Sequence, residues 1–284
     1  MEYIKQFPEL FRGKKVMYVH GFGSSGQSGT VTRIREVLPQ AEVIAPDLPI
    51  HPQEAMDLLR DICEKEKPDL IIGTSMGGMY TEMLYGFDRI LVNPALQMGD
   101  TMKEHGMIGA QHFSNPRQDG VQDFMVTKAL VKEYKEMTEQ CFAQVSEDET
   151  ARVWGLFGDE DTTVNTYGLF REHYPTAIRF HGEHRMNDNS FMHSVVPVIR
   201  WIDDRQEGRE RPIVYIGIET LRDVYDGPRS SAQKTVRWLI ETYQVYFIGM
   251  EESWSGMATH LQFGSDTFKT WDDIAAYFSR LGGQ

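Results

Sequence analysis

The chain has 284 residues, 40% hydrophobic and 25% charged, with a formal net charge of −13. That length fits one large α/β domain or a domain with a small appendage, and the negative balance argues against a nucleic-acid backbone or an anionic membrane as a partner. Cys63 and Cys141 are too few for a disulfide framework and lack metal-ligand spacing. No apolar run reaches the length of a membrane span, and Met1-Glu2-Tyr3-Ile4-Lys5 opens no signal peptide, so no membrane insertion and a cytoplasmic setting are expected.

Along the chain, short apolar runs alternate with helix-periodic segments. Strands are expected at Lys15–His20, Glu42–Ala45, Leu70–Gly73, Arg89–Val92, Val153–Phe157 and Ala177–His181. Their near-continuous Val, Ile, Leu, Phe and Tyr content suits strands covered on both faces. Between them, helix spacing appears in Val31, Ile34, Val37 and Leu38, then Ala55, Leu58, Leu59 and Ile62, then Phe191, Val195, Val198, Ile199 and Ile202. The alternation predicts an α/β fold: a mainly parallel sheet, helices on both faces, right-handed crossovers, and ligands beyond the carboxyl ends of the strands.

Two segments interrupt this rhythm within an expected main domain of residues 1–203. Residues 93–145 are rich in Met, Gln and Gly, and Phe124–Phe142 reads as an amphipathic helix. Placed over the strand ends, this insertion would form a cap; otherwise it is connecting structure. The charged run Asp203–Pro212 reads as a linker over 204–212. Beyond it, 213–284 reads as a small C-terminal α/β module: strand Ile213–Ile216, helix Ser230–Thr242, strand Val245–Ile248 and helix Trp271–Leu281. At about 70 residues it is near the lower limit for independent folding, so it is expected to pack on the main domain or on a second copy, as a homodimer contact.

Chemistry-bearing residues gather at the strand ends. After the first strand comes His20-Gly21-Phe22-Gly23-Ser24-Ser25-Gly26, and after the third Gly73-Thr74-Ser75-Met76-Gly77-Gly78. The second is a Gly-x-Ser-x-Gly turn between an apolar run and a helix-compatible segment, Met79–Tyr85. That context makes it a nucleophile elbow with Ser75 as nucleophile, the glycines allowing the sharp bend. A serine hydroxyl needs a histidine to take its proton and an acid to orient that histidine. After the fifth strand, Gly158-Asp159-Glu160-Asp161-Thr162-Thr163-Val164 offers Asp161, with Asp159 as its neighbouring competitor. After the sixth, Gly182-Glu183-His184 offers His184, with His181 and His193 as alternatives. The N–H groups of Met76 and Phe22 are the expected oxyanion-hole donors, and His20 would brace the first loop.

A strand ending in His-Gly-Phe, the Gly-Thr-Ser-Met-Gly-Gly turn, Asn93-Pro94-Ala95, the Asp161 loop and the His184 loop together resemble the α/β-hydrolase superfamily. The likeness is greatest to small bacterial esterases of the YqiA-like group and covers roughly residues 13–203. The resemblance implies hydrolysis of a small-molecule carboxyl ester or thioester, without a cofactor. It implies Ser75 as nucleophile, Asp161 as acid and His184 as base. The tail segment Val214-Tyr215-Ile216-Gly217-Ile218-Glu219-Thr220-Leu221 resembles the first motif of haloacid dehalogenase-like phosphatases. Ile216 and Ile218 stand where that family has its two aspartates, which implies a non-catalytic module.

Two other readings remain. Gly21-x-Gly23-x-x-Gly26 is also the dinucleotide-binding pattern of an NAD(P)-dependent Rossmann-type oxidoreductase, with Asp47 available for a ribose hydroxyl, although Gln27-Ser28-Gly29 prolongs the loop past the place where its helix should begin. The other is a hydrolase fold whose chemistry has lapsed into binding.

Overall fold

The computed structural model describes residues 9–180 and 182–209, together with the strands Ile213–Gly217, Gln244–Ile248, Leu261–Phe263 and Asp266–Phe268. Six parallel strands form the main sheet: β1 (Lys15–Val19), β2 (Glu42–Ile44), β3 (Leu70–Thr74), β4 (Arg89–Val92), β7 (Val153–Gly158) and β8 (Ala177–Phe180), in the order β2-β1-β3-β4-β7-β8. The chain has the α/β-hydrolase fold: a parallel sheet wound on both sides by helices, with the Ser75 turn at the carboxyl end of a central strand.

Strand side chains alternate between two buried faces. Val16, Tyr18, Leu70, Ile72, Ile90, Val92, Trp154 and Leu156 pack toward α1 (Gly29–Val37) and α9 (Val196–Gln206). Met17, Val19 and Ile71 pack toward α2 (Pro52–Glu66), α3 (Met76–Glu82) and α5 (Lys128–Thr138). Period-two alternation with both faces covered explains why the strands read as continuous apolar runs. All seven residues of α3 are buried, so the helix behind Ser75 is fixed from every side.

Three expectations are corrected. The helix after the Ser75 turn spans Met76–Glu82, starting directly behind the serine rather than at Met79. The insertion is not one helix from Phe124 to Phe142. It comprises α4 (Met98–Glu104), an antiparallel hairpin of β5 (Gly109–His112) and β6 (Asp123–Val126), and then α5, whose N-cap Thr127 accepts from Leu130 N at 3.1 Å. Thr127 competes with helix continuation and leaves Phe124 in the hairpin. Finally, residues 204–206 are not linker but the last turn of α9. Asp203 and Asp204 are buried there, held by Lys14 (2.6 Å to Asp203) and Arg209 (2.8 and 2.9 Å), so the acidic run is a paired helix end.

Connecting helices complete the sheet edge: α6 (Glu147–Thr150), α7 (Tyr167–His173), and α8 (Asp188–Ser190), which continues through a π-helical turn at Phe191–Val195 into α9. In the tail, β9 (Ile213–Gly217) pairs in parallel with β10 (Gln244–Ile248), and β11 (Leu261–Phe263) pairs antiparallel with β12 (Asp266–Phe268). The latter pair was not read from the sequence, and the expected helices Ser230–Thr242 and Trp271–Leu281 lie outside the described residues. Among the described residues no helix is long and apolar enough to cross a membrane, and no group of three or more His, Cys, Asp or Glu side chains is placed to hold a metal.

Candidate active site

Ser75 sits at the carboxyl end of β3 with φ 55° and ψ −120°, a conformation costly for a residue carrying a Cβ, on the order of 1–3 kcal/mol. Its backbone is held from three directions: Ser75 N donates to Val92 O (3.0 Å), and Ser75 O accepts from Met79 N (3.2 Å) and Ala95 N (2.9 Å). The strain thus falls on the serine itself. Gly73 and Gly77 have ordinary φ, and close approach is what requires them. A Cβ on Gly77 would stand 2.0 Å from Val19 O, and one on Gly73 2.2 Å from Thr81 Oγ1. The glycines let α3 lie against β1 and β3, while the sharp turn is made at position 75.

Three strand ends bring their side chains together. His184 Nε2 lies 3.0 Å from Ser75 Oγ, and His184 Nδ1 lies 2.7 Å from Asp161 Oδ2. The carboxylate accepts a hydrogen bond from Nδ1–H, which leaves Nε2 as the acceptor facing the hydroxyl. The Asp161 side chain is 3% exposed and its other oxygen accepts from Thr163 N (2.8 Å) and Val164 N (3.0 Å), so the acid has one geometry available. Asp159 is occupied elsewhere: Oδ1 accepts from Gly182 N at 3.0 Å, tying the end of β7 to the loop after β8. Of the alternative histidines, His181 lies outside the described residues, and His193 falls in the π-helical turn with its side chain undescribed.

Asn93 is a member of this assembly whose role the sequence did not reveal. It is buried at the end of β4 with φ 44°; its Oδ1 accepts from Gly158 N (2.7 Å), and its Nδ2 donates to the carbonyls of Glu183 and His184 (3.1 Å each). The Asn-Pro-Ala sequence was visible; the left-handed φ that asparagine tolerates is the signal that could have marked it.

His20 braces the first loop. Its Nδ1 donates to Gly21 O (2.8 Å) and its Nε2 accepts from Leu48 N (3.1 Å). Burial lowers its pKa to about 4, so the ring is neutral. The loop's glycines answer to packing: a Cβ on Gly21 would meet Ser75 Cβ at 3.3 Å, and one on Gly26 would meet Ala45 O at 2.1 Å. The Asp47 carboxylate accepts from Gly26 N (2.8 Å) and Gln118 N (2.7 Å). The glycine pattern and Asp47, which suggested a dinucleotide, are thereby both engaged in holding loop to strand, and α1 starts only at Gly29.

A cavity of about 510 Å³ opens above Ser75 and His184. The insertion contributes Met98, Met107, Ser114 and Asn115 to its wall, and the hairpin connection is pinned to the first loop through Ser114 N to Gly23 O (2.8 Å) and Ser25 Oγ to Pro116 O (2.6 Å). Phe22 lines the cavity and packs edge-on against Phe124 at 5.4 Å. Met76, Met79 and Met102 are buried in the core beneath it, and Met98 belongs to the same core cluster while reaching the cavity wall. Neither Phe22 N nor Met76 N is among the hydrogen-bonded donors of the described residues.

The model of the uncharacterised protein family UPF0227 matches residues 15–199. Among solved structures, the monoacylglycerol lipase of Paleococcus ferrophilus shares 16% identity over 67% of this chain and 94% of its own, with a TM-score of 0.45. The esterase domain of a Rhodothermus marinus protein shares 17% over 65% and 85% (TM-score 0.44), and Est1E of Butyrivibrio proteoclasticus 13% over 70% and 88% (TM-score 0.43). Identities and scores this low say nothing of substrate.

Proposed function

This chain belongs to the uncharacterised protein family UPF0227, and within it we propose a serine hydrolase that cleaves a carboxyl ester or thioester through an acyl-Ser75 intermediate. The observation that carries the reading is the pair of contacts at His184, 3.0 Å to the Ser75 hydroxyl and 2.7 Å to the Asp161 carboxylate. In this mechanism His184 Nε2 takes the Ser75 proton as Oγ attacks the substrate carbonyl, and Asp161 stabilises the imidazolium that forms. The backbone N–H groups of Phe22 and Met76 receive the developing oxyanion, Met76 from the first turn of α3. His184 then passes its proton to the leaving alcohol or thiol. Water, deprotonated by the same imidazole, releases the acid and regenerates Ser75. No step calls on a cofactor.

The insertion acts as a cap whose Met98 and Met107 face the acyl group, and adaptable thioether side chains suit chains of varied shape. A panel of nitrophenyl esters and acyl-CoA thioesters of graded chain length, run on the wild type and Ser75→Ala, tests the reading. Turnover confined to the wild type supports it, and its distribution over the panel assigns ester or thioester. Equal turnover in both proteins refutes it.

A further inference from the structure

We infer that the cavity wall formed by the start of α1 and Arg185 binds an anionic group, a carboxylate or a phosphate, carried by the substrate; this deepens the serine-hydrolase reading of the same cavity and rests on it. The chain as a whole is strongly acidic, with 42 Asp and Glu against 29 Lys and Arg. The cavity reverses that balance: Arg33 and Arg185 line it, and no acidic residue does among the described residues. Arg33 is matched by Asp188, which is itself outside the lining, whereas Arg185 is exposed and has no ion-pair partner among the described residues.

The helix start supplies the second element. Ser28, the N-cap of α1, makes no capping bond, and its Oγ is buried without a partner at hydrogen-bond length in a residue 6% exposed. A buried hydroxyl left unmatched costs stability, and its residue lines the cavity beside Gly29 and Thr30. The N–H groups of Gly29 and Thr30 have no helical acceptor by position, and no acidic residue occupies the first turn of the helix. Tyr18 and Thr74, joined at 2.8 Å through their hydroxyls, line the same cavity. Burial raises the Tyr18 phenol above its usual pKa, which keeps it a neutral donor. Free N–H groups, one unmatched hydroxyl and a guanidinium without an ion-pair partner among the described residues make a set that recognises carboxylate or phosphate oxygens.

The test is calorimetric titration of the full chain with adipate, inorganic phosphate and the uncharged hexane-1,6-diol, on wild type, Arg185→Gln and Ser28→Ala, alongside inhibition of nitrophenyl butyrate hydrolysis by the same three compounds. At least one anion should bind and compete with the ester while the diol does neither, and the better of the two identifies carboxylate or phosphate. Arg185→Gln should weaken that anion by about tenfold, the loss of one charge-assisted hydrogen bond. Binding of neither anion, or binding unchanged in both variants, overturns the inference. Anion binding in a protein that cleaves no ester leaves the subsite standing and overturns the hydrolase reading instead.

Discussion

Asn93 holds the backbone of His184: its Nδ2 reaches the carbonyls of residues 183 and 184 at 3.1 Å while its Oδ1 takes the N–H of Gly158 at 2.7 Å. One buried amide therefore joins the strand that precedes the acid to the loop that carries the base. The spacing between Asp161 and His184 depends on it.

Asn93→Ala removes three hydrogen bonds and places a residue with poor left-handed tolerance at φ 44°. Denaturant unfolding should show a loss of about 2–4 kcal/mol. Ester turnover measured below the new transition should fall about 100-fold, since small misplacements of a catalytic group are costly. A variant that unfolds more easily yet retains its rate would show that Asn93 serves stability alone.

The two neighbouring acids should separate cleanly. Asp161→Asn disturbs the tautomer of His184 and should reduce kcat by about 10⁴-fold, as loss of the orienting carboxylate does in a triad. Asp159→Asn keeps an oxygen for Gly182 N and should stay close to the wild-type rate. The comparison is steady-state kinetics on one ester; the reverse order of effects would move the acid to Asp159.

Gly77→Ala would place a methyl 2.0 Å from Val19 O and should cost about 3 kcal/mol or more, with α3 displaced from β1. Ser75→Ala keeps the backbone and should leave the melting temperature nearly unchanged. Thermal denaturation of the two variants side by side distinguishes close packing from turn strain as the reason for the glycine.

His20 sets an acid limit. Folded, its pKa is lowered to about 4 by burial; unfolded, it returns to 6.5. The unfolded chain therefore binds the proton first. The stability His20 contributes is complete above pH 6.5, is lost as pH falls toward 4, and changes no further below that. The full loss is about 3 kcal/mol. Stability measured from pH 7 to 4 should decline less steeply in His20→Asn than in the wild type; parallel profiles would exclude His20 as the titrating group.

The strands, the Ser75 turn and the order of Ser75, Asp161 and His184 were legible because each is local: an apolar block, a turn motif, a loop acid or histidine after a strand. The role of Asn93 was hidden because it lies in partners 65 to 91 positions away. The hairpin was missed because Phe124, Met125 and Val126 also satisfy a helical period, and only Thr127 as N-cap separates the two elements. Asp47 and Gly26 imitated a nucleotide site because a tight strand-to-helix loop needs the same residues whether or not a phosphate sits in it.

The most direct test is intact-mass analysis after treatment with a fluorophosphonate, followed by peptide mapping. The account predicts one adduct per chain, on Ser75, absent from Ser75→Ala and formed far more slowly in His184→Ala. A wild-type protein that takes no label, or takes it at another residue while Ser75→Ala still hydrolyses esters, would contradict it.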